Sequence, residues 1–348
     1  MFFLGDIAIT GLLTSDHRKN PSRFEEIISL NYGYGIANLE CPIFVPNSQN
    51  EHKNFIHASD KIASQQILNL LNIKCVSLAN NHIYDCKMSG LRATINMLKE
   101  INVKHTGAGW KKEHIEPVIF DYLEEKIAFL AYVDISTNPK TENFSELFIN
   151  YINENEIIKK LNELKSKVNR IILSLHWGVD YSFYPTNKQR RMAKLFIDSG
   201  ADIIMGHHPH TIQPYEKYKN SYIFYSLGGL TFGDYKKTPE SDLQALFRKT
   251  KRGVIVYYDI NDNLVSFTPT KELKGNFIKL INFNYIKWSK KIWFYFQIKH
   301  FHPILTNLFL FKEKFLDRVF EYFFGYYKHP LKRLFQFSNI KKIPKLFK

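Results

Sequence analysis

Five short apolar runs in this chain each carry, at or just past their end, a cluster of polar residues of metal-ligating type, and that recurrence limits the fold more than any other feature. Phe2–Ile9 carries Gly5 and Asp6. Ile36–Leu39 ends in Asn38, Leu39 and Glu40, and Cys75–Leu78 leads to Asn80, Asn81 and His82. Ile171–Leu175 leads to His176, Trp177 and Gly178, and Ile203–Met205 runs into Gly206, His207, His208, Pro209 and His210. Short apolar, β-branched runs of this kind read as strands buried on both faces. Ile127–Val133, Tyr222–Tyr225, Val254–Asp259 and Leu264–Phe267 share the pattern. Between the runs, Ile62 to Leu71, Leu91 to Ile101, Ile157 to Leu164 and Met192 to Ser199 repeat at helical spacing. Strands alternating with helices predict an α/β fold, its sheets covered by helices and its sites at the strand ends.

Composition divides the 348 residues in two. The whole is 45% hydrophobic and 23% charged, a globular balance that excludes a disordered or low-complexity chain. Residues 275–348 hold 13 Lys and 2 Arg against Glu313, Asp317 and Glu321, a net charge of +12 out of the chain's +15. They also hold 21 of its 53 aromatic residues. The expected organisation is therefore a nearly neutral body, residues 1–274, and a basic, aromatic tail, residues 275–348. In the tail, Leu305, Leu308, Phe309, Leu316, Val319, Phe320 and Phe323 follow an amphipathic helical spacing, which Gly325 and Pro330 close. Three readings of the tail stay open: association with a membrane surface, binding of a polyanion, or packing of its aromatics on the body. No aromatic ribonucleoprotein strand occurs, so specific nucleic-acid recognition is not expected.

Three cysteines, Cys41, Cys75 and Cys86, make no CxxC pair, which favours a reducing compartment. No apolar run reaches the roughly 18 residues of a membrane-spanning helix. The first ten residues lack a basic leader and a cleavage site. The expected location is cytoplasmic, with the tail allowing peripheral contact with the inner face of the membrane.

The residue types point to a pair of divalent cations. Such a pair needs a bridging carboxylate, terminal imidazoles and open positions for water and substrate. A mixed Asp, Glu, Asn and His set suits Mn, Fe or Zn better than Ca or Mg. His208 and His210, two apart, can share one face of an extended loop. Asn81 can offer its amide oxygen, and His82 beside it then serves as general acid or cationic stabiliser. Cys41 and Cys86 read as small buried side chains and Trp177 as packing. Tyr181, Pro185 and Gln189 read equally as a groove wall or as surface turns.

The stretches GDIAITG (5–11), NLECPI (38–43), SLANNHIYD (77–85), LSLHWGVDY (173–181), DSGADIIMGHHPHTIQP (198–214) and YSLGGLTFGD (225–234) resemble the CapA family. These are the bacterial poly-γ-glutamate capsule synthesis proteins, which share the calcineurin-like metallophosphatase fold. The resemblance implies a four-layer α/β sandwich with a dinuclear site at its rim. Carried over, Asp6 and His210 would bind one metal, Glu40 would bridge, and Asn81, His176 and His208 would bind the other. His82 matches the histidine that contacts phosphate, and its spacing lets Asp85 orient it. His207 is expected to be structural. Four positions depart from pattern: Ala8 stands where metallophosphatases in general carry a histidine, Glu40 where they carry a bridging aspartate, Asp180 where the family usually has Glu, and Gly229 where it usually has Asn. The implied activity is hydrolysis or transfer at a phosphoester or an amide-linked anionic polymer. A general phosphoesterase and a catalytically weak, metal-binding accessory protein are the alternatives.

Overall fold

The computed structural model describes residues 1–281 except 31–32, 50–56, 138–145, 233–234, 237–242, 245–250 and 274. The amphipathic stretch expected over 305–323 lies outside the described residues.

Two sheets form the centre. In the first, β1 (Phe2–Ala8), β2 (Gly35–Leu39), β3 (Ile73–Ser77) and β4 (Lys104–Thr106) run parallel in that order. The second is built around β6 (Glu125–Val133), β7 (Arg170–His176), β8 (Ile203–His207) and β10 (Ser221–Phe224), also parallel, with β5 (Val118–Tyr122) and β9 (Tyr215–Tyr218) as antiparallel edges. β11 (Gly229–Phe232) returns to the first sheet and pairs parallel with β1, Asp6 opposite Gly229. β12 (Arg252–Asp259), β13 (Leu264–Glu272) and β14 (Ile278–Leu280) extend that sheet antiparallel on the other side of β1. Ile278–Leu280, counted with the tail in the sequence, thus forms the edge strand of the body.

Period-two alternation explains how these strands stack. Phe3, Ile36, Cys75, Phe129, Ile172, Ile203, Met205 and Phe224 face one another in a core between the sheets. Their neighbours Leu4, Ala37 and Val76 turn the opposite way, onto α1 (Lys61–Leu70) and α2 (Lys87–Glu100) through Ile67, Leu68, Leu91 and Ile95. Leu130, Leu173, Ile204 and Ile223 turn outward onto α3 (Glu154–Leu164) and α4 (Asn187–Asp198) through Ile157, Leu161, Met192 and Phe196. Helices, sheet, sheet, helices: the described residues form the four-layer α/β sandwich that the resemblance implied. Each fully buried Ile, Leu or Phe contributes roughly 1.5–3 kcal/mol, so both faces of every central strand stabilise the stack. Caps set the helix starts. The Asp60 carboxylate accepts from the Ala63 amide at 2.9 Å before α1, and Thr186 and Gln189 form a capping box before α4. Gln189 is thereby structural.

The three cysteines are buried and free. Cys41 Sγ accepts from the Ile9 amide at 3.1 Å, and burial pushes its thiol up to about 12, so it stays an inert thiol. Among the described residues, no helix is long and apolar enough to cross a membrane.

Candidate metal centre

The carboxyl ends of β1, β2, β3, β7 and β8 meet along one rim, and Tyr225–Gly229 stitches the two sheets together there. Gly228 O accepts from the Asp6 amide at 3.0 Å, and Gly206 O accepts from the Leu227 amide at 3.1 Å. This close approach needs glycine immediately before Asp6 and before His207. A Cβ on Gly5 would lie 1.9 Å from Gly228 O, and one on Gly206 would lie 1.9 Å from Tyr225 O.

Asp6, fully buried, is the hub of one corner. Its Oδ1 accepts from Asn38 Nδ2 at 2.9 Å and lies 3.1 Å from His207 Nδ1. Its Oδ2 accepts from the His208 amide at 3.2 Å and lies 3.1 Å from His210 Nδ1. Burial opposes the charge, but the His207 and His210 hydrogen bonds outweigh it and hold the carboxyl well below the usual carboxylate range. A carboxylate only accepts, so both imidazoles carry their proton on Nδ1, leaving Nε2 as a lone-pair donor. His207, expected to be structural, packs its Nδ1 against Asp6. Asn38 is itself held by Asn80, whose Nδ2 donates to Asn38 Oδ1 at 3.3 Å and to Leu39 O at 2.8 Å.

Glu40, also fully buried, faces the same space. Its Oε1 lies 3.6 Å from His210 Nε2 and 3.8 Å from His176 Nε2, both beyond hydrogen-bond length. His176 Nε2 is 2.9 Å from Asn81 Oδ1, so these two expected ligands satisfy each other in this arrangement. The His176 and His208 rings stand 5.0 Å apart. Burial first, then the neighbouring histidines, push the His176 imidazole well below the ordinary histidine range, and burial pushes His208 down to about 4. His208 Nε2 meets Asp180 Oδ1 at 3.1 Å, a contact the sequence did not single out. His208 and His210 adopt φ of 95° and 55°, and Tyr181 one of 61°, a backbone that non-glycine residues reach at a cost of about 1–3 kcal/mol and that clusters at functional sites.

A third corner holds His82, whose Nδ1 lies 2.8 Å from Asp85 Oδ2. The same oxygen accepts from the His57 amide at 2.8 Å. Ala8 is fully buried and belongs to the core cluster that α1 and α2 cover. Trp177 is fully buried and donates from Nε1 to Tyr225 O at 3.2 Å, a packing role.

The donor set fits divalent cations. Asp6, Glu40 and His210 each present a ligand atom, all within 4.8 Å of one another, as do Asp180, His208 and His210. His207 Nε2 and His208 Nδ1 are buried with no hydrogen-bond partner among the described residues. Asp6 is held well below the usual carboxylate range, and burial opposes protonation of His176 and His208, which leaves negative charge that a cation would compensate.

A family model described as bacterial capsule synthesis protein PGA_cap matches residues 1–234. The chain belongs to that family. Within the capsule synthesis family it is 28% identical over 246 residues to the capsule biosynthesis protein CapA of Bacillus anthracis, covering 67% of this chain and 56% of the relative. It is 29% identical over 214 residues to the PGA biosynthesis protein CapA of Bacillus subtilis (strain 168), covering 60% of this chain and 56% of the relative. The chain thus spans about half the length of these capsule synthesis relatives. Among solved structures, a hypothetical protein from Thermus thermophilus matches with a TM-score of 0.46 at 13% identity, over 81% of this chain and 99% of that one. The calcineurin-like phosphoesterase YfkN from Bacillus subtilis matches with a TM-score of 0.38 at 12% identity, over 83% and 82%.

Proposed function

We propose that this capsule-synthesis-family chain is a metal-dependent hydrolase or transferase acting on a phosphoester or an amide-linked anionic polymer such as poly-γ-glutamate, in capsule or cell-surface polymer biosynthesis. The observation that carries it is the convergence of Asp6, Glu40, His176, His208 and His210 at one rim, with the Glu40 carboxylate between two imidazoles. In this reading Asp6 and His210 hold one divalent cation, Asn81, His176 and His208 the other, and Glu40 bridges; Mn, Fe or Zn suits the donors. When bound, the cations supply Lewis acidity and activate water at neutral pH. The chain's own part is to fix charge and protons. Asp85 orients His82 through Nδ1, and the protonated ring can pass its Nε2 proton to a leaving oxygen or nitrogen. Asp6 keeps the His210 Nε2 lone pair turned toward Glu40.

Metal analysis combined with turnover of bis(4-nitrophenyl) phosphate tests this. The wild type is expected to bind metal and turn over the diester. His82→Ala is expected to keep its metal and lose about 10²–10⁴ in kcat. Asp6→Ala is expected to lose metal and activity together.

One observation favours a second reading. Ala8 supplies no imidazole and faces the helix-side core, which leaves the Asp6 corner one nitrogen poorer and suits a metal-binding accessory protein. Metal bound without turnover of esters or γ-glutamyl peptides would select it.

The tail's charge and aromatic density support a further part of the proposal, contact with an anionic membrane surface, to which Lys and Arg contribute roughly 1 kcal/mol each. Flotation of the full chain with phosphatidylglycerol vesicles is expected, and deletion of 282–348 is expected to abolish it. Full-length protein left at the bottom of the gradient would exclude that contact.

A further inference from the structure

His82 is tied to Asp85 through Nδ1. That hydrogen bond fixes Nδ1, and the direction of Nε2 depends on what packs against the ring. The His57 ring packs against it, at 87° to the His82 ring with centroids 4.3 Å apart. His57 is itself braced: Phe232 stands edge-on to it at 5.7 Å and also to His210 at 4.4 Å. Phe232 ends β11, whose Thr231 hydroxyl and Phe232 amide donate to the buried Glu272 carboxylate at 2.9 and 3.1 Å. The His57 amide donates to the same Asp85 oxygen that His82 uses.

The geometry points to His57 as a positioning residue: its ring blocks rotation of His82 and so aims Nε2, while Phe232 couples that aim to His210. The role rests on the reading of His82 as the acid. Because the Asp85 contact is made by the backbone amide, every substitution at position 57 other than proline keeps it, and the ring is tested separately.

The experiment compares full-length wild type, His57→Ala and His57→Phe. Turnover of bis(4-nitrophenyl) phosphate with manganese is one readout. The His82 Nδ1–H proton resonance, in ¹⁵N-histidine-labelled metal-free protein, is the other. Thermal melting reports folding. His57→Ala is expected to lower kcat by about ten- to a hundredfold at unchanged KM, as a small misplacement of a reacting group does, and to broaden the His82 resonance. His57→Phe, which restores an aromatic edge, is expected to recover most of kcat and a sharp resonance. Unchanged kcat and resonance in His57→Ala would overturn the proposal. So would equal losses in Ala and Phe with a raised KM, because the ring nitrogens would then be contacting substrate. If wild type does not turn over the diester, the hydrolase reading has failed instead, and the resonance alone decides whether His57 orders His82.

Discussion

The Asp6 corner and the Asp180 corner sit at the same rim and share His208, yet they are built differently. Asp6 is fully buried and meets Asn38, His207, His210 and the His208 amide at once. Asp180 keeps 36% of its side chain exposed and meets His208 at 3.1 Å. The first is a fixed acceptor into which several donors have been packed; the second is a rim group that water can replace. Residues of the same type at the rim of the two facing sheets therefore carry different weights: the buried one sets geometry, the exposed one trims it.

Removing the hub breaks the comparison most directly. Asp6→Ala leaves imidazole and amide donors buried without their acceptor, and urea unfolding of the metal-free protein is expected to show a loss of about 3–5 kcal/mol. A loss below about 1 kcal/mol would mean that the corner is not preorganised.

Acidification sharpens the contrast. The His208 imidazole is depressed from 6.5 to about 4, so the unfolded chain takes up a proton that the folded chain refuses. Stability held above pH 6.5 is then lost as pH falls toward 4, by up to about 1.4 kcal/mol per pH unit from this site. Glu272 runs the other way: burial raises its carboxyl to about 6, so the stability it gives is full below pH 4.5 and lost as pH rises through 6. Metal-free His208→Gln is expected to flatten the acid limb between pH 6.5 and 4, read by denaturant midpoints across that range, and Glu272→Gln is not. An unchanged limb in His208→Gln would contradict a buried, neutral His208.

The smallest effect belongs to the rim. Asp180→Asn is expected to cost less than about 1 kcal/mol in the same unfolding measurement, since a part-exposed hydrogen bond to a neutral imidazole competes with water. A loss matching that of Asp6→Ala would erase the distinction.

Much of this was legible in the chain. The central strands and four helices fall where apolar spacing put them, because burial on both faces forces an unmistakable run of Ile, Leu and Val. The ligand types stood out because chemistry concentrates them where runs end. What was not legible depended on tertiary paths. β11 contains a glycine and only four residues, and its strand state comes from pairing with β1. β4 and β5 are short or mixed in polarity, and their place comes from the sheet edges. His57 follows no periodic pattern; the Ser59 amide bonded to Pro42 O brings its segment back beside α2. Asn38 looked like the end of a strand, and only the fold reveals that it joins Asn80 to Asp6.

Isothermal titration of the metal-free full-length chain with manganese, for wild type and Glu40→Gln, bears most directly on the central claim that one rim gathers ligands for a bridged pair of cations. The account predicts two ions per chain for wild type, and for Glu40→Gln the loss of at least one ion or a much weaker second event. Wild-type protein that takes up no manganese, zinc or iron, or a Glu40→Gln variant that binds like wild type, would contradict it.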